Sequence, residues 1–181
     1  MTLQSWAEYG WLKKHQSSHQ EIADLLAIVD RDLSDAKIDS ISTDWQFGIA
    51  YNAALKLCTI LLCVKGFRAG QGLQHYRTIQ ALPLILGDER QSDADYLDTC
   101  RVKRNTVEYD RIGAASQSEA DELILVCHSD LLSRETKRTG ERQRFKIKNQ
   151  RHPLAEHAEA QRRSKAGFTV LTKERAFSSM F

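Results

Sequence analysis

The stretch "CRVKRNTVEYD", residues 100–110, favours a helix that carries charged groups beside its apolar side. At about 100° per residue, the side chain of Arg104 falls in the same sector as those of Cys100 and Val107. Three further polar side chains lie at the edge of that sector or just beyond it: Arg101, Asn105 and Glu108. A guanidinium that is withdrawn from water is costly unless it is paired, so the pattern predicts a partner for Arg104.

Two kinds of partner suit these arginines. In one interpretation, Arg101 or Arg104 forms an internal ion pair with Glu108 or with an acidic residue of another helix. In the other, Arg101, Arg104 and Asn105 line a cleft that receives an anion such as a phosphate. Arginine suits the second role because its planar fork holds two phosphate oxygens at once. The spacing alone leaves both interpretations open.

His75 is a further residue with the chemistry of a binding or catalytic site. It follows the glycine-rich stretch "GFRAGQG", residues 66–72, and is expected near the start of a helix. A histidine in that position either satisfies a turn or transfers protons near neutral pH. The glycine-rich stretch itself is not a phosphate loop, because no predicted strand precedes it and no Gly-Lys-Ser/Thr follows it.

Helices must position these residues, because apolar residues recur at three- and four-residue steps along most of the first 133 positions. The helix that begins at Asp44 is apolar almost all round and is expected to be the centre of a bundle, with Trp45, Phe47 and Tyr51 in the core. Short connections predict an all-α fold, an antiparallel up-and-down bundle of four to five helices without strands. The predicted helices cover residues 17–36, 44–65, 73–86, 94–112 and 118–133.

The ends of these helices carry local signals. Ser17 or Ser18 is expected to cap the first long helix, and Ser116 or Ser118 the last. The helix predicted over residues 73–86 should bend or end near Pro83, because proline lacks a backbone N–H and crowds the preceding turn.

Charge and composition divide the chain into three parts. Residues 1–16 hold Trp6, Tyr9 and Trp11 and are predicted to form an aromatic hook on the body of the domain. Residues 17–133 form the predicted bundle. Residues 134–181 contain 13 Lys and Arg against 5 Asp and Glu, whereas residues 1–133 contain 13 against 19. With few regularly spaced apolar residues, the basic tail 134–181 is expected to be mobile or dependent on a partner.

Several classes of protein are not expected. The four cysteines show neither a C-x-x-C pair nor zinc spacing, so they are interpreted as core residues, and no metal site or cofactor is predicted. The N-terminus lacks the pattern of a signal peptide, and the longest apolar run, residues 57–64, is too short to cross a bilayer. A cytoplasmic protein with no membrane partner is expected.

The predicted helix 94–112, called the motif helix below, and the segments before it resemble HEPN domains. These are the helical domains of prokaryotic toxins, defence nucleases and nucleotide-binding proteins. The resemblance includes "RDLSDAK", "DWQFGIAYNAALKL" and "KGFRAGQGLQHY", followed by "RVKRNTVEYD", and covers about residues 17–133. It implies a bundle of four or five helices that dimerises with its motif helices facing one another. The cleft between those two helices would bind RNA.

The resemblance also implies roles for single residues. The ribonuclease motif of HEPN domains is an arginine, a polar residue and a histidine, and Arg104 and Asn105 match the first two. Tyr109 stands where the histidine is expected. A tyrosine titrates about three units higher than a histidine, so the resemblance implies binding of RNA or a nucleotide and leaves metal-independent cleavage open. In related toxins a tyrosine near this motif receives a nucleotide from a partner nucleotidyltransferase, which makes Tyr109 a candidate for that modification.

The sequence therefore supports more than one function. The leading hypothesis is a homodimer that binds RNA or a nucleotide with Arg101, Arg104, Asn105, Glu108 and His75, and that acts as a toxin-like or defence-linked ribonuclease or as its inactive relative. Its partner would be a cognate antitoxin or a nucleotidyltransferase. In the alternative, the arginines are structural and the domain is a non-enzymatic helical module that docks a protein. A third hypothesis assigns nucleic-acid binding to the basic tail alone.

Overall fold

The computed structural model describes residues 1–107 and 112–128, and helices predominate among them. The α-helices of these residues are α1 (Leu3–Glu8), α2 (His19–Asp35), α3 (Thr43–Val64), α4 (Gln74–Gln80), α5 (Leu82–Leu86), α6 (Gln91–Asn105) and α7 (Gln117–His128). Two short strands are β1 (Leu12–Lys14) and β2 (Phe67–Ala69), and a single 3-10 turn covers Asp88–Arg90. The helical content agrees with the predicted all-α class.

The most apolar helix, α3, lies at the centre of the described residues. Its N-cap is Ser42, whose hydroxyl accepts a hydrogen bond from the backbone N–H of Trp45. The helices α2, α4, α5, α6 and α7 all contact α3, and 13 of its 22 residues are buried. All four cysteines are buried as well, two of them in α3. The predictions of a central helix and of core cysteines are confirmed.

The length and composition of α3 would also suit a helix that crosses a membrane. In the relevant 18-residue window, however, 67% of the residues are buried inside the described part of the protein. The apolar side chains of α3 therefore contact neighbouring helices, as those of a core helix do.

Serine caps begin the helices α2 and α7. The Ser18 hydroxyl accepts a hydrogen bond from the Glu21 N–H at 3.0 Å, as one of the predicted caps. At the start of α7, the Ser116 hydroxyl accepts from the Glu119 N–H, and the Glu119 carboxylate accepts from the Ser116 N–H at 2.9 Å. This reciprocal pair is a capping box, which satisfies two backbone donors that the helix itself leaves without partners.

A small antiparallel ribbon is the clearest departure from the predicted strand-free fold. Strand β1 pairs with β2, with Leu12 opposite Ala69. Each strand has three residues, too few to show an alternating pattern in the sequence. The backbone N–H of Gly70 donates to the Trp11 carbonyl at 2.8 Å, and a Cβ at Gly70 would lie 2.6 Å from the Gly10 carbonyl oxygen. The two strands can approach this closely only because residue 70 is a glycine.

The segment predicted as an aromatic hook contains α1 and β1. Trp6 is 8% exposed and packs in a small cluster with Leu12, Leu62 and Ala81. The ring of Trp11 meets the ring of Trp6 edge-on, with centroids 5.4 Å apart. This cluster joins the N-terminal segment to the end of α3 and to the junction of α4 and α5.

Two predicted helices have other bounds in the structure. The helix predicted over 73–86 is interrupted near Pro83, as expected: α4 ends at Gln80, and Pro83 lies in the first turn of α5, where its missing N–H leaves no bond unmade. The helix predicted over 94–112 begins earlier, at Gln91, and its regular part ends at Asn105. The β-branched residues Thr106 and Val107 follow in a wider π-type turn.

Some predictions fall outside the described residues. They concern the second half of the motif, residues 108–111, the end of the last helix, residues 129–133, and the basic tail 134–181. The boundary predicted near residue 133 lies in the same part of the chain.

Candidate functional site

The start of α4 and the motif helix α6 pack against each other. Leu73 precedes α4 with a φ of 49°, a left-handed conformation that ends the glycine-rich connection from β2. His75 therefore lies in the first turn of α4, as expected from the sequence. The fold thus brings the helix predicted over 73–86 alongside the motif helix.

His75 is in contact with a buried tyrosine of the central helix. Tyr51 is 1% exposed, and its hydroxyl oxygen lies 3.3 Å from Nδ1 of His75. Burial raises the pKa of Tyr51 well above its ordinary value, so the phenol keeps its proton. Because Tyr51 lies in the packed core, its hydroxyl fixes the orientation of the more exposed imidazole ring.

The charge around His75 favours its neutral form. Partial burial lowers the pKa of His75, and the nearby cations Arg104, Lys56 and Arg101 lower it further. An imidazole in this position is uncharged at neutral pH. The unprotonated ring nitrogen of His75 can therefore accept a proton.

Arg101 lies on the same face and is held by two neighbours. Its Nε donates to Oδ1 of Asp98 at 2.6 Å, and its guanidinium carbon lies 5.8 Å from the centroid of the Tyr76 ring. Both residues of this ion pair belong to α6 and lie one helical turn apart. The pair resembles the internal pair of the first interpretation, but the partner is Asp98 of the same helix and not Glu108 or an acidic residue of another helix. The bond to Asp98 engages only Nε of the guanidinium.

A small cavity joins these groups. It has a volume of about 190 Å³ and is lined by Leu73, Gln74, His75, Tyr76, Arg101 and Asn105. Three of the residues predicted to bind RNA or a nucleotide therefore line one cavity, although they come from different helices. The sequence could not show this directly, since it depends on how α4 packs on α6.

Arg104 lines a second, larger cavity. It is half-buried, as its position on the helix predicted, and this cavity of about 690 Å³ is formed with residues of α2 and α3. The charge of Arg104 also helps to lower the pKa of His75, which lines the first cavity.

The larger cavity contains polar groups that the sequence did not single out. The carboxylate of Asp32, a residue 3% exposed, accepts hydrogen bonds from the side chains of Asn52 and Arg31. Trp45 lines the same cavity and is 68% exposed, so its interpretation as a core residue was wrong. At about 100° per residue, Trp45 lies about 200° from Phe47 around α3 and shares its face with Asn52 instead. That periodicity was a signal for the correct assignment.

The two remaining predicted site residues, Glu108 and Tyr109, lie outside the described residues. Among the described ones, Arg101 and Asn105 line one cavity together with the imidazole of His75, whereas Arg104 lines the larger cavity. The chain matches no family model, no curated protein and no solved structure.

Proposed function

We propose that this chain is a HEPN-like protein that binds RNA or a nucleotide through the face shared by α4 and α6. The observation that carries the proposal is the cavity lined by His75, Arg101 and Asn105, with the charge of Arg104 beside it. A phosphate in this cavity would meet cationic and amide donors from one side and an imidazole from the other. Such charge-assisted hydrogen bonds are stronger than those between neutral groups.

An RNA strand suits the two cavities together better than a free phosphate does. Trp45 is exposed and lines the larger cavity together with Arg104. An exposed indole offers a flat surface on which an unpaired base can stack. A phosphate held at Arg104 and a base stacked on Trp45 would belong to the same strand.

The proposal includes a homodimer in which the two copies of α6 face each other, as the resemblance to HEPN domains implies. Val102 is 52% exposed on α6, next to Arg101 in the sequence, and offers an apolar contact for such an interface. A cognate antitoxin or a nucleotidyltransferase remains the proposed protein partner.

Binding is tested with a fluorescently labelled single-stranded RNA at fixed salt concentration. We expect Arg104→Ala to weaken binding about tenfold or more, because a charge-assisted hydrogen bond is worth about 1.5–3 kcal/mol. The matched control is Arg90→Ala. Arg90 pairs with Asp93 three residues later, as Arg101 pairs with Asp98 three residues earlier, but it lies at the other end of α6. Equal affinity of both variants and the wild type would contradict the proposal.

The same variant separates the proposal from a purely structural role for Arg104. If Arg104 holds an anion, Arg104→Ala lowers affinity and leaves the free energy of unfolding nearly unchanged. If it is one half of a buried ion pair, the change strands a carboxylate and costs about 3–5 kcal/mol of stability. Urea unfolding of the variant, measured beside the binding titration, distinguishes the two.

A second candidate function is cleavage of the bound RNA, favoured by the lowered pKa of His75. In that reaction a ring nitrogen of His75 takes the proton of a ribose 2′-hydroxyl. At the same time the 2′-oxygen attacks the adjacent phosphorus. The bond from phosphorus to the 5′-oxygen breaks, and this oxygen takes a proton from water. The products are a 2′,3′-cyclic phosphate and a 5′-hydroxyl end. The missing motif histidine does not prevent this route, because His75 comes from another helix.

Cleavage is tested with the same RNA by analysing its ends. We expect His75→Gln to abolish formation of the cyclic phosphate and to weaken binding less than Arg104→Ala does, because the amide keeps the polarity but does not accept a proton near neutral pH. The control is His19→Gln, at an exposed position at the start of α2. If the wild type binds the RNA without cleaving it, the proposed binding function stands and the proposed cleavage is wrong.

A further inference from the structure

A second cluster of reactive side chains lies away from the motif helix, where three elements meet. His15 follows β1, Glu21 lies in the first turn of α2, and Cys63 lies in the last turn of α3. One potential ligand atom from each residue lies within 4.8 Å of the other two. Nε2 of His15 is 2.9 Å from both carboxylate oxygens of Glu21. The three donors are thus a nitrogen, an oxygen and a sulfur around one point.

We propose that His15, Glu21 and Cys63 bind a zinc ion. Imidazole, carboxylate and thiolate are the side-chain ligands that zinc takes in proteins, and three protein ligands leave a fourth position for water. On binding, the Cys63 thiol releases its proton to solvent as sulfur bonds to the metal. The proposal concerns a site separate from the α4–α6 face and does not depend on RNA binding.

The backbone around the cluster already holds these residues in place. The His15 N–H donates to the Gly66 carbonyl at 2.9 Å, and the Ser17 hydroxyl donates to the Cys63 carbonyl at 3.2 Å. The side chains of His15 and Glu21 are each about a quarter exposed, so an ion can enter from solvent. Cys63 forms the buried side of the site.

Arg68 of β2 stands beside the cluster. Its Nη2 lies 3.2 Å from Oε1 of Glu21, and it also contacts the Cys63 thiol. With zinc bound, Arg68 supports the thiolate and the carboxylate from outside, as partners around metal ligands commonly do. The competing arrangement is an ion-pair network in which the guanidinium itself is the cation of Glu21.

The spacing of the ligands explains why the sequence predicted no metal site. They belong to three separate elements, and Glu21 and Cys63 are distant in the chain, so no short motif joins them.

The experiment uses the full chain, freed of metal by a chelator and titrated with Co²⁺ as a coloured substitute for zinc. We expect saturable binding of one ion per chain, with the intense near-ultraviolet absorption of a thiolate bonded to cobalt, and loss of that absorption when Zn²⁺ is added. Cys63→Ala should abolish the absorption. His15→Gln and Glu21→Gln should weaken binding by about tenfold or more, since even partners outside the ligand set contribute about 10- to 100-fold. The matched control is Cys100→Ala, which removes a buried thiol of α6 and should change nothing.

Three results would overturn the proposal. One is a folded wild type, checked by circular dichroism, that shows no thiolate absorption. Another is an absorption that persists in a folded Cys63→Ala variant, because the sulfur would then come from another cysteine. The third is Co²⁺ binding by the Arg68→Gln variant but not by the wild type. In that case the Arg68 guanidinium would be the cation that occupies the cluster in the native protein.

Discussion

At the scale of single residues, His75 combines a fixed ring orientation with a lowered pKa. The buried Tyr51 hydroxyl holds its Nδ1, while Arg104, Lys56 and Arg101 disfavour its protonation. These groups come from α3 and from the motif helix α6, whereas His75 itself lies in α4. The sequence suggested His75 only as a histidine near a helix start, because the contacts that change its chemistry are made by the packing of three helices.

The first prediction concerns the titration of His75. Its pKa should lie below the ordinary histidine value of 6.5, and Arg104→Gln should raise it toward that value, because removing a neighbouring cation makes the imidazolium less unfavourable. The shift is measured from the imidazole C–H signals by NMR. Arg90→Gln serves as the control and should leave the titration unchanged. A His75 titration that is the same in all three proteins would remove the electrostatic link between Arg104 and His75.

The same reasoning sets the pH dependence of any cleavage. A proton acceptor works in its neutral form, so the rate should rise as the pH increases through the His75 pKa and should level off above it. Arg104→Gln, which raises this pKa, should move the rise to higher pH. A pH–rate profile for wild type and variant checks the direction of the shift.

At the scale of elements, the sequence predicted helices best where apolar spacing and caps agree. The helix α2 is an example, since Ser18 caps it and Ile22, Leu25 and Val29 face the core. The ribbon of β1 and β2 could not be predicted in the same way, because its strands are short and its partner residues are far apart in the chain. The end of α6 differed because Thr106 and Val107 follow in a wider turn, although Val107 continues the apolar pattern of the helix.

The next prediction concerns the capping box of α7. The Lys103 ammonium and the Ser116 N–H and hydroxyl lower the pKa of Glu119 to about 2, against an ordinary 4.5. The folded-state pKa is depressed, so this stabilisation is present above pH 4.5 and is lost as the pH falls toward 2. Because Glu119 is 39% exposed, solvent screens the interaction, and Glu119→Gln should cost only about 1 kcal/mol at neutral pH.

Urea unfolding at several pH values checks this prediction. The difference between Glu119→Gln and the wild type should shrink as the pH is lowered through the window given above. Glu122→Gln changes an exposed carboxylate of the same helix and is the control. A difference that is constant across the acid range would show that the carboxylate charge does not contribute.

At the scale of the whole molecule, a homodimer is expected if α6 meets a second copy of itself. Val102→Glu would then place a charge within that interface, and the mass measured by light scattering should fall from dimer to monomer at micromolar concentration. Leu125→Glu is the control, because Leu125 is 69% exposed on α7. A monomeric wild type would contradict the homodimer, and loss of the dimer in both variants would place the interface elsewhere.

The basic tail gives the last prediction at this scale. The sequence after residue 134 has few regularly spaced apolar residues, while the described helices already form a shared core around α3. Deleting residues 140–181 should therefore leave the melting temperature within a few degrees, measured by calorimetry. A large decrease would show that the tail contributes to the core. RNA binding that is lost on deletion but unaffected by Arg104→Ala would favour the tail as the nucleic-acid contact.

The ribbon also determines the order in which the chain can acquire its structure during synthesis. Trp6 and β1 are synthesised before Leu62 and Ala81, on which they pack, and before β2, with which β1 pairs. None of these partners exists until α2 and α3 have been synthesised. The segment that holds Trp6 and β1 therefore becomes ordered only after these later residues have been synthesised, because a long loop must close before its contacts form. Until then, its tryptophans remain exposed to whatever binds nascent apolar segments in the cell.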